Sequence, residues 1–342
     1  MNSERMVMSL LKNLPGFIVR RMAGPPVVID GNVMDPNIQL LSKMAGTPEP
    51  EADIVAMRAG IRKNFQSLDG PHRRGVSKRE THIPGPAGDM LAQVFEPAKT
   101  SDRDPAVLFF HQGGMVLMDS ETCSSFCTEL AAECNAKVIS LEYRLCPESK
   151  FPAAIDDGMA LWDYVQANAA SLGIDPHRVA VAGDSAGGMI SSVMCQQLRD
   201  TEGAVPAAQV LAYPWVAAQI EPEGSGVSCA NCFPLTEDTM TFFNAQVFPE
   251  DKNIDHAFAN PLKNENLSNL PPAIIATAGF DPIRDQGNEY ADRLKAAGTQ
   301  VTHYCFSSLT HSFLTLGNVS KEAQRAGRQL ARDLAKIFRT AH

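Results

Sequence analysis

From about residue 78 the chain gives short β-like runs, and beyond "AKVISLEYR" strands alternate with helical stretches, an alternation that leaves the chain few architectures. The runs "AVLFFH", "AKVISLEYR", "RVAVAG", "AAQVLAYP", "PAIIATAG" and "QVTHYCF" read as strands, several of them apolar at consecutive positions. Helical stretches stand between them: one from Ala186, one in "RDQGNEYADRLKAAG", and a last one near 320–338. The pattern predicts an α/β protein with a mostly parallel sheet and helices on both faces. Two β-like runs, "SKRETHIP" and "MLAQVFEP", precede it around the turn "GPAG".

Two regions fall outside the alternation. Residues 1–70 read as helical, with Thr47 and Pro48 as cap and first turn, then Ile54, Met57, Ile61, Phe65 and Leu68 at helical spacing. The interval 216–270 is too long for a simple connection and reads as an insertion over one end of the sheet. A helix carrying Met6, Val7, Leu10, Leu11 and Leu14 is expected to pack on its own protein rather than anchor to a membrane. No apolar stretch is long enough to span a bilayer, and the N-terminus has no continuous apolar export segment, so the chain is expected to be cytoplasmic.

A formal net charge of −9 and the lack of any long Lys/Arg run disfavour nucleic acid as a partner. The eight cysteines are scattered, which predicts reduced, mostly buried thiols. Cys229 and Cys232 have C-x-x-C spacing, but no second pair or His-x-x-x-His follows, so no metal is expected there. Without a G-x-G-x-x-G, a phosphate loop or an H-E-x-x-H, no cofactor is expected either.

The chemistry collects in loops after strands, where open parallel sheets place their working residues. "AVAGDSAGG" fits G-x-S-x-G, with Ser185 between a strand and a helix. Small residues are needed because the sharp turn brings backbone against backbone, and the helix N-terminus directs N–H groups to the same spot. The bare pattern turns up by chance in roughly one chain in ten of this size, so its context carries the weight. "IIATAGFDPIRDQG" places Asp281 just past a strand, where it can orient an imidazole; Asp285, four residues on, reads as a helix cap. "YCFSSLTHSFLTLG" places His311 in a loop, able to accept and return a proton near neutral pH. His303 lies within a strand and reads as structural. The order Ser185, Asp281, His311 is that of α/β-hydrolase triads. "FFHQGGMVL" adds Gly113 and Gly114, whose N–H groups suit a developing oxyanion, with His111 bracing their loop.

Together with "EYRLCPESKFPAAIDDG" and "DPIRDQG", these segments resemble the hormone-sensitive-lipase-like branch of the α/β-hydrolases, over roughly residues 75–335. The resemblance implies an α/β-hydrolase catalytic domain over 71–342, with a helical cap built from 1–70 and an insertion after the sixth strand. It implies Ser185 as nucleophile, His311 as general base and acid, and Asp281 as its orienting acid. Gly113, Gly114 and the N–H of Ala186 would then form the oxyanion hole. The expected activity is that of a serine carboxylesterase on small, fairly apolar esters. An amidase or deacetylase with the same triad, and a non-catalytic ligand receptor on the same fold, are the alternatives. Dimerisation through the sheet edge or last helix is compatible with such a chain. Two positions depart from the family pattern: Gln112 where H-G-G-G is usual, and Ser312 where H-G-F often follows the last strand.

Overall fold

The computed structural model describes residues 3–45, 53–249 and 254–340. Eight strands form one sheet: β1 (Val76–Gly85), β2 (Gly88–Pro97), β3 (Asp104–Phe110), β4 (Lys137–Leu141), β5 (Ile174–Asp184), β6 (Gln209–Ala212), β7 (Ala273–Phe280) and β8 (Val301–Thr310). Their spatial order is β8-β7-β6-β5-β3-β4-β2-β1. β1 and β2 pair antiparallel around the predicted turn, and β2 joins β4 antiparallel. All remaining pairs are parallel.

The helices follow as α1 (Ser3–Asn13), α2 (Gly16–Ala23), α3 (Pro36–Ala45), α4 (Ile54–Leu68), α5 (Ser124–Cys134), α6 (Ala153–Leu172), α7 (Ala186–Arg199), α8 (Ser225–Ser228), α9 (Glu237–Val247), α10 (Arg284–Ala296) and α11 (Lys321–Thr340). Side-chain alternation along β3 divides the core between the two faces. Val107 and Phe109 pack with Phe126 and Leu130 of α5 and Leu330 and Leu334 of α11. Leu108 and Phe110 pack with Ile155 and Leu161 of α6 and Ile190 and Val193 of α7. Both faces of the central strands are therefore dry, which is why β3 and β7 are buried along their whole length.

In α4 the periodic residues Ile54, Met57, Ile61 and Phe65 lie against the core, as their spacing predicts. Thr47 and Pro48 lie outside the described residues; the described helix is capped by Asp53, whose carboxylate accepts from Val55 N at 2.9 Å. α4 is tied to the body by Arg58, which donates to Val116 O and Cys146 O, each at 2.8 Å, and pairs with Glu148. α1 departs from expectation. Leu11 and Leu14 are half-buried, but Met6, Val7 and Leu10 remain exposed. Polar bonds fasten the helix instead: Arg5 to Gly70 O at 2.6 Å, Lys12 to Gly317 O at 2.8 Å, and Asn318 Nδ2 to Arg5 O at 2.8 Å. Among the described residues no helix is long and apolar enough to cross a membrane.

Between β6 and β7 the chain runs out through α8 and α9 and returns by two short 3-10 turns, Ala257–Ala259 and Pro261–Lys263. Asp285, in the first turn of α10, accepts from Ser225 N at 2.7 Å and pairs with Arg284, so it anchors α8. The resembling segment around Arg144 also has a structural task. The guanidinium of Arg144 and the fully buried carboxylate of Asp157 form an ion pair at 2.7 Å, pinning the loop after β4 onto α6.

Candidate active site

Three strand ends bring the predicted groups together. Ser185 follows β5 and opens α7 with φ 54 and ψ −116, a backbone that non-glycine residues adopt only when their surroundings impose it. Its N–H donates to Ala212 O of β6 at 2.9 Å, fixing the turn to the neighbouring strand. Gly187 shows why the turn needs small residues: a Cβ built there would lie 1.8 Å from Phe110 O. Asp281 follows β7 and is fully buried; His311 follows β8 and is 4% exposed.

The protons in this arrangement follow from donor chemistry. Asp281 Oδ2 lies 2.8 Å from His311 Nδ1, and a carboxylate only accepts, so Nδ1 carries the hydrogen. In the neutral ring Nε2 is then the acceptor, and Ser185 Oγ donates to it at 2.9 Å. Asp281 Oδ1 accepts from Ile283 N at 3.0 Å, which keeps the carboxylate facing the imidazole. Alcohol, imidazole and carboxylate stand in one hydrogen-bonded series, screened from water.

Beside them, β3 ends in the turn carrying Gly113 and Gly114, with φ +119 and +62. None of the hydrogen bonds among the described residues uses either N–H. Ala186, the first residue of α7, is by position one of that helix's orphan donors, and the helix dipole favours negative charge there. His111 Nδ1–H donates to Gln112 O at 2.7 Å, its ring stacks on Tyr143, and Tyr143 Oη donates to His111 O at 2.7 Å. Burial holds His111 below the usual histidine range, so it serves as a neutral brace.

Several groups lie apart from this centre. His303 faces Asn288 Oδ1 at 3.1 Å. Cys229 and Cys232 are buried, and the hydrogen bond between them lowers the first thiol to about 7 and raises the second. Among the described residues no group of three or more His, Cys, Asp or Glu side chains is poised for a metal.

Two functional neighbours were not evident from sequence. Asp184, next to the serine, is fully buried and accepts from Tyr213 Oη at 2.9 Å and Cys123 Sγ at 3.2 Å. Tyr213 Oη also accepts from Leu314 N at 3.3 Å, and its ring lies 4.8 Å from that of His311. Tyr213 thus connects the serine turn to the histidine loop. The available signal was the position of "AYPW" directly after β6, an aromatic with a polar tip at a strand's carboxyl end.

Burial pushes Asp184 up to about 6, against the opposing hydrogen bonds from Cys123 and Tyr213. A carboxyl raised in the fold contributes stability that is complete below its ordinary value near 3.8 and lost as pH rises through about 6. Asp184→Asn, which cannot ionise, should therefore gain on the wild type by about 2 kcal/mol between pH 4.5 and 7.5. Urea unfolding of both proteins at the two pH values checks this, and an equal offset at both would count against it.

Residues 107–315 match a family model described as an alpha/beta hydrolase fold. The chain is 39% identical over 306 residues to carboxylic ester hydrolase LipN of Mycobacterium tuberculosis, covering 86% of this chain and 80% of the relative. It is 38% identical over 257 residues to carboxylesterase NlhH of the same organism, covering 74% and 79%. Among solved structures, the esterase of Pyrobaculum calidifontis superposes with a TM-score of 0.82 at 33% identity, over 90% of this chain and all of that one. With its strand order, its serine turn and these relatives taken together, the chain belongs to the α/β-hydrolases, in the hormone-sensitive-lipase-like branch.

Proposed function

We propose that the protein is a serine carboxylesterase for small, fairly apolar esters, with Ser185 as nucleophile, His311 as general base and acid, and Asp281 as its orienting acid. One observation carries this reading: the series from Ser185 Oγ through His311 to Asp281, at 2.9 and 2.8 Å. The names of the relatives, a carboxylic ester hydrolase, a carboxylesterase and an esterase, support esters over amides.

Ser185 Oγ attacks the ester carbonyl carbon while its proton passes to His311 Nε2. The carbonyl oxygen becomes an oxyanion held by the N–H groups of Gly113, Gly114 and Ala186, each donor of this kind lowering the barrier by about 2.7–4 kcal/mol. The imidazolium, steadied by Asp281, gives its proton to the departing alkoxide, leaving an acyl-serine. Water then adds to the acyl carbon with His311 taking its proton. Collapse of the second intermediate releases the acid and restores Ser185.

The helices of residues 1–70 and the segment 216–270 act as the cap that keeps bulk water out and bounds the substrate. Phe243 of α9 supports this. Its ring sits on Gly114 so closely that a Cβ built there would lie 2.3 Å from Phe243 Cγ, and Trp215 and Phe248 form an edge-to-face pair nearby in the same core. Little room is left for a long chain beside that turn, so short acyl groups should be preferred. A p-nitrophenyl series from acetate to palmitate tests the reading, with kcat/KM expected to fall beyond the shorter esters. Phe243→Ala should shift the optimum towards longer ones by one or more steps. Absence of turnover across the whole series would refute the esterase assignment.

A further inference from the structure

The two positions at which this chain departs from its family's pattern lie 200 residues apart in sequence and touch in space. Ser312 Oγ donates to Gln112 Oε1 at 2.5 Å, with the glutamine 2% and the serine 4% exposed. Gln112 Nε2 stands 3.5 Å from Thr315 Oγ1, which itself donates to Ser312 O at 2.7 Å. The glutamine amide therefore reaches both ends of the short turn Phe313–Thr315 that follows His311.

Each member of the pair adjoins a reacting element. Gln112 immediately precedes Gly113 and Gly114, and its carbonyl accepts from His111 Nδ1, so its main chain is fixed from the strand side. Ser312 immediately follows His311 and has φ +63, a backbone that glycine adopts without strain. A side chain is held in that conformation with its hydroxyl aimed at Gln112. Water is excluded from the contact, so loss of either partner leaves the other's polar group buried and unsatisfied.

We propose that Gln112 and Ser312 are a positioning pair: their hydrogen bond fixes the oxyanion turn against the loop that delivers the general base. Neither side chain transfers a proton. The pair sets the spacing between the amides that receive the developing charge and the imidazole that receives the serine proton. These two sites must be in register in the transition state, but ground-state substrate binding does not require it. Loss of the bond should therefore lower kcat and leave KM nearly unchanged. The inference rests on the esterase reading above.

The test is a double-mutant cycle with p-nitrophenyl butyrate. Ser312→Ala keeps a similar backbone preference and removes the donor; Gln112→Met keeps the volume and removes the acceptor. Each single variant is expected to lose about tenfold in kcat, with KM within about twofold of wild type, and a Tm lowered by a few degrees because the remaining polar group is buried without a partner. The double variant should be no slower than the slower single one, because the second substitution removes a partner already idle. A purely structural pair would lower Tm and leave kcat of the folded fraction intact, and that result would overturn the proposal. So would losses that multiply in the double variant, or a change confined to KM. If Ser312→Ala does not fold, Gln112→Met alone decides between the same outcomes. An inactive wild type would defeat the esterase reading itself, a result distinct from an active wild type with insensitive variants.

Discussion

Ser185→Ala should leave a folded protein whose kcat for p-nitrophenyl esters is lower by on the order of 10⁵-fold. The size follows from removing the only group that forms the covalent bond, so that what survives is binding and oxyanion stabilisation alone. Stability should change little. Alanine must accept the same φ of 54, and the lost contact is one hydrogen bond to His311, worth about 1 kcal/mol. Near-normal turnover at unchanged Tm would show that another residue attacks. A fluorophosphonate probe gives the complementary reading: it should label the wild type at Ser185 and leave Ser185→Ala unlabelled.

The second large effect concerns a residue that does no chemistry. Gly187→Ala should destabilise the protein by more than about 3 kcal/mol and abolish activity with it. The added carbon would lie 1.8 Å from Phe110 O, 2.5 Å from Phe110 C and 3.1 Å from His111 O. All are backbone atoms, so relief requires α7 to move away from β3, and no side-chain rotation can supply it. Gly203→Ala is the matched control, since its Cβ would meet nothing within 4 Å and the residue is exposed. Thermal melts of the two variants should differ by many degrees, whereas similar melts would mean that the serine turn tolerates more movement than its packing implies.

What could be read in the sequence divides along a physical line. Ser185, Asp281 and His311 were legible because each follows a run that reads as a strand, and parallel sheets send those ends to one edge. The two-faced core was legible for the same reason, since β3 has no polar side. Contacts that depend on which strands become neighbours were not legible. Tyr213 reaches Asp184 and Leu314 only because β6 lies beside β5 and close to the histidine loop. The attachment of α1 was also hidden, because Arg5 and Lys12 find main-chain carbonyls at Gly70 and Gly317 that no side-chain pattern marks. The apolar periodicity of that helix pointed to a different mode of packing from the one observed.

The imidazole arrives directly after β8, the last of the described strands and one edge of the sheet, which is held there by its pairing with β7. A growing polypeptide thus displays its serine long before the histidine proposed as its base has been made. Until the 126 residues that separate the two have emerged and docked, the alcohol lacks its hydrogen-bond acceptor. Turnover in a cell extract would accordingly count finished molecules and ignore every partly built one.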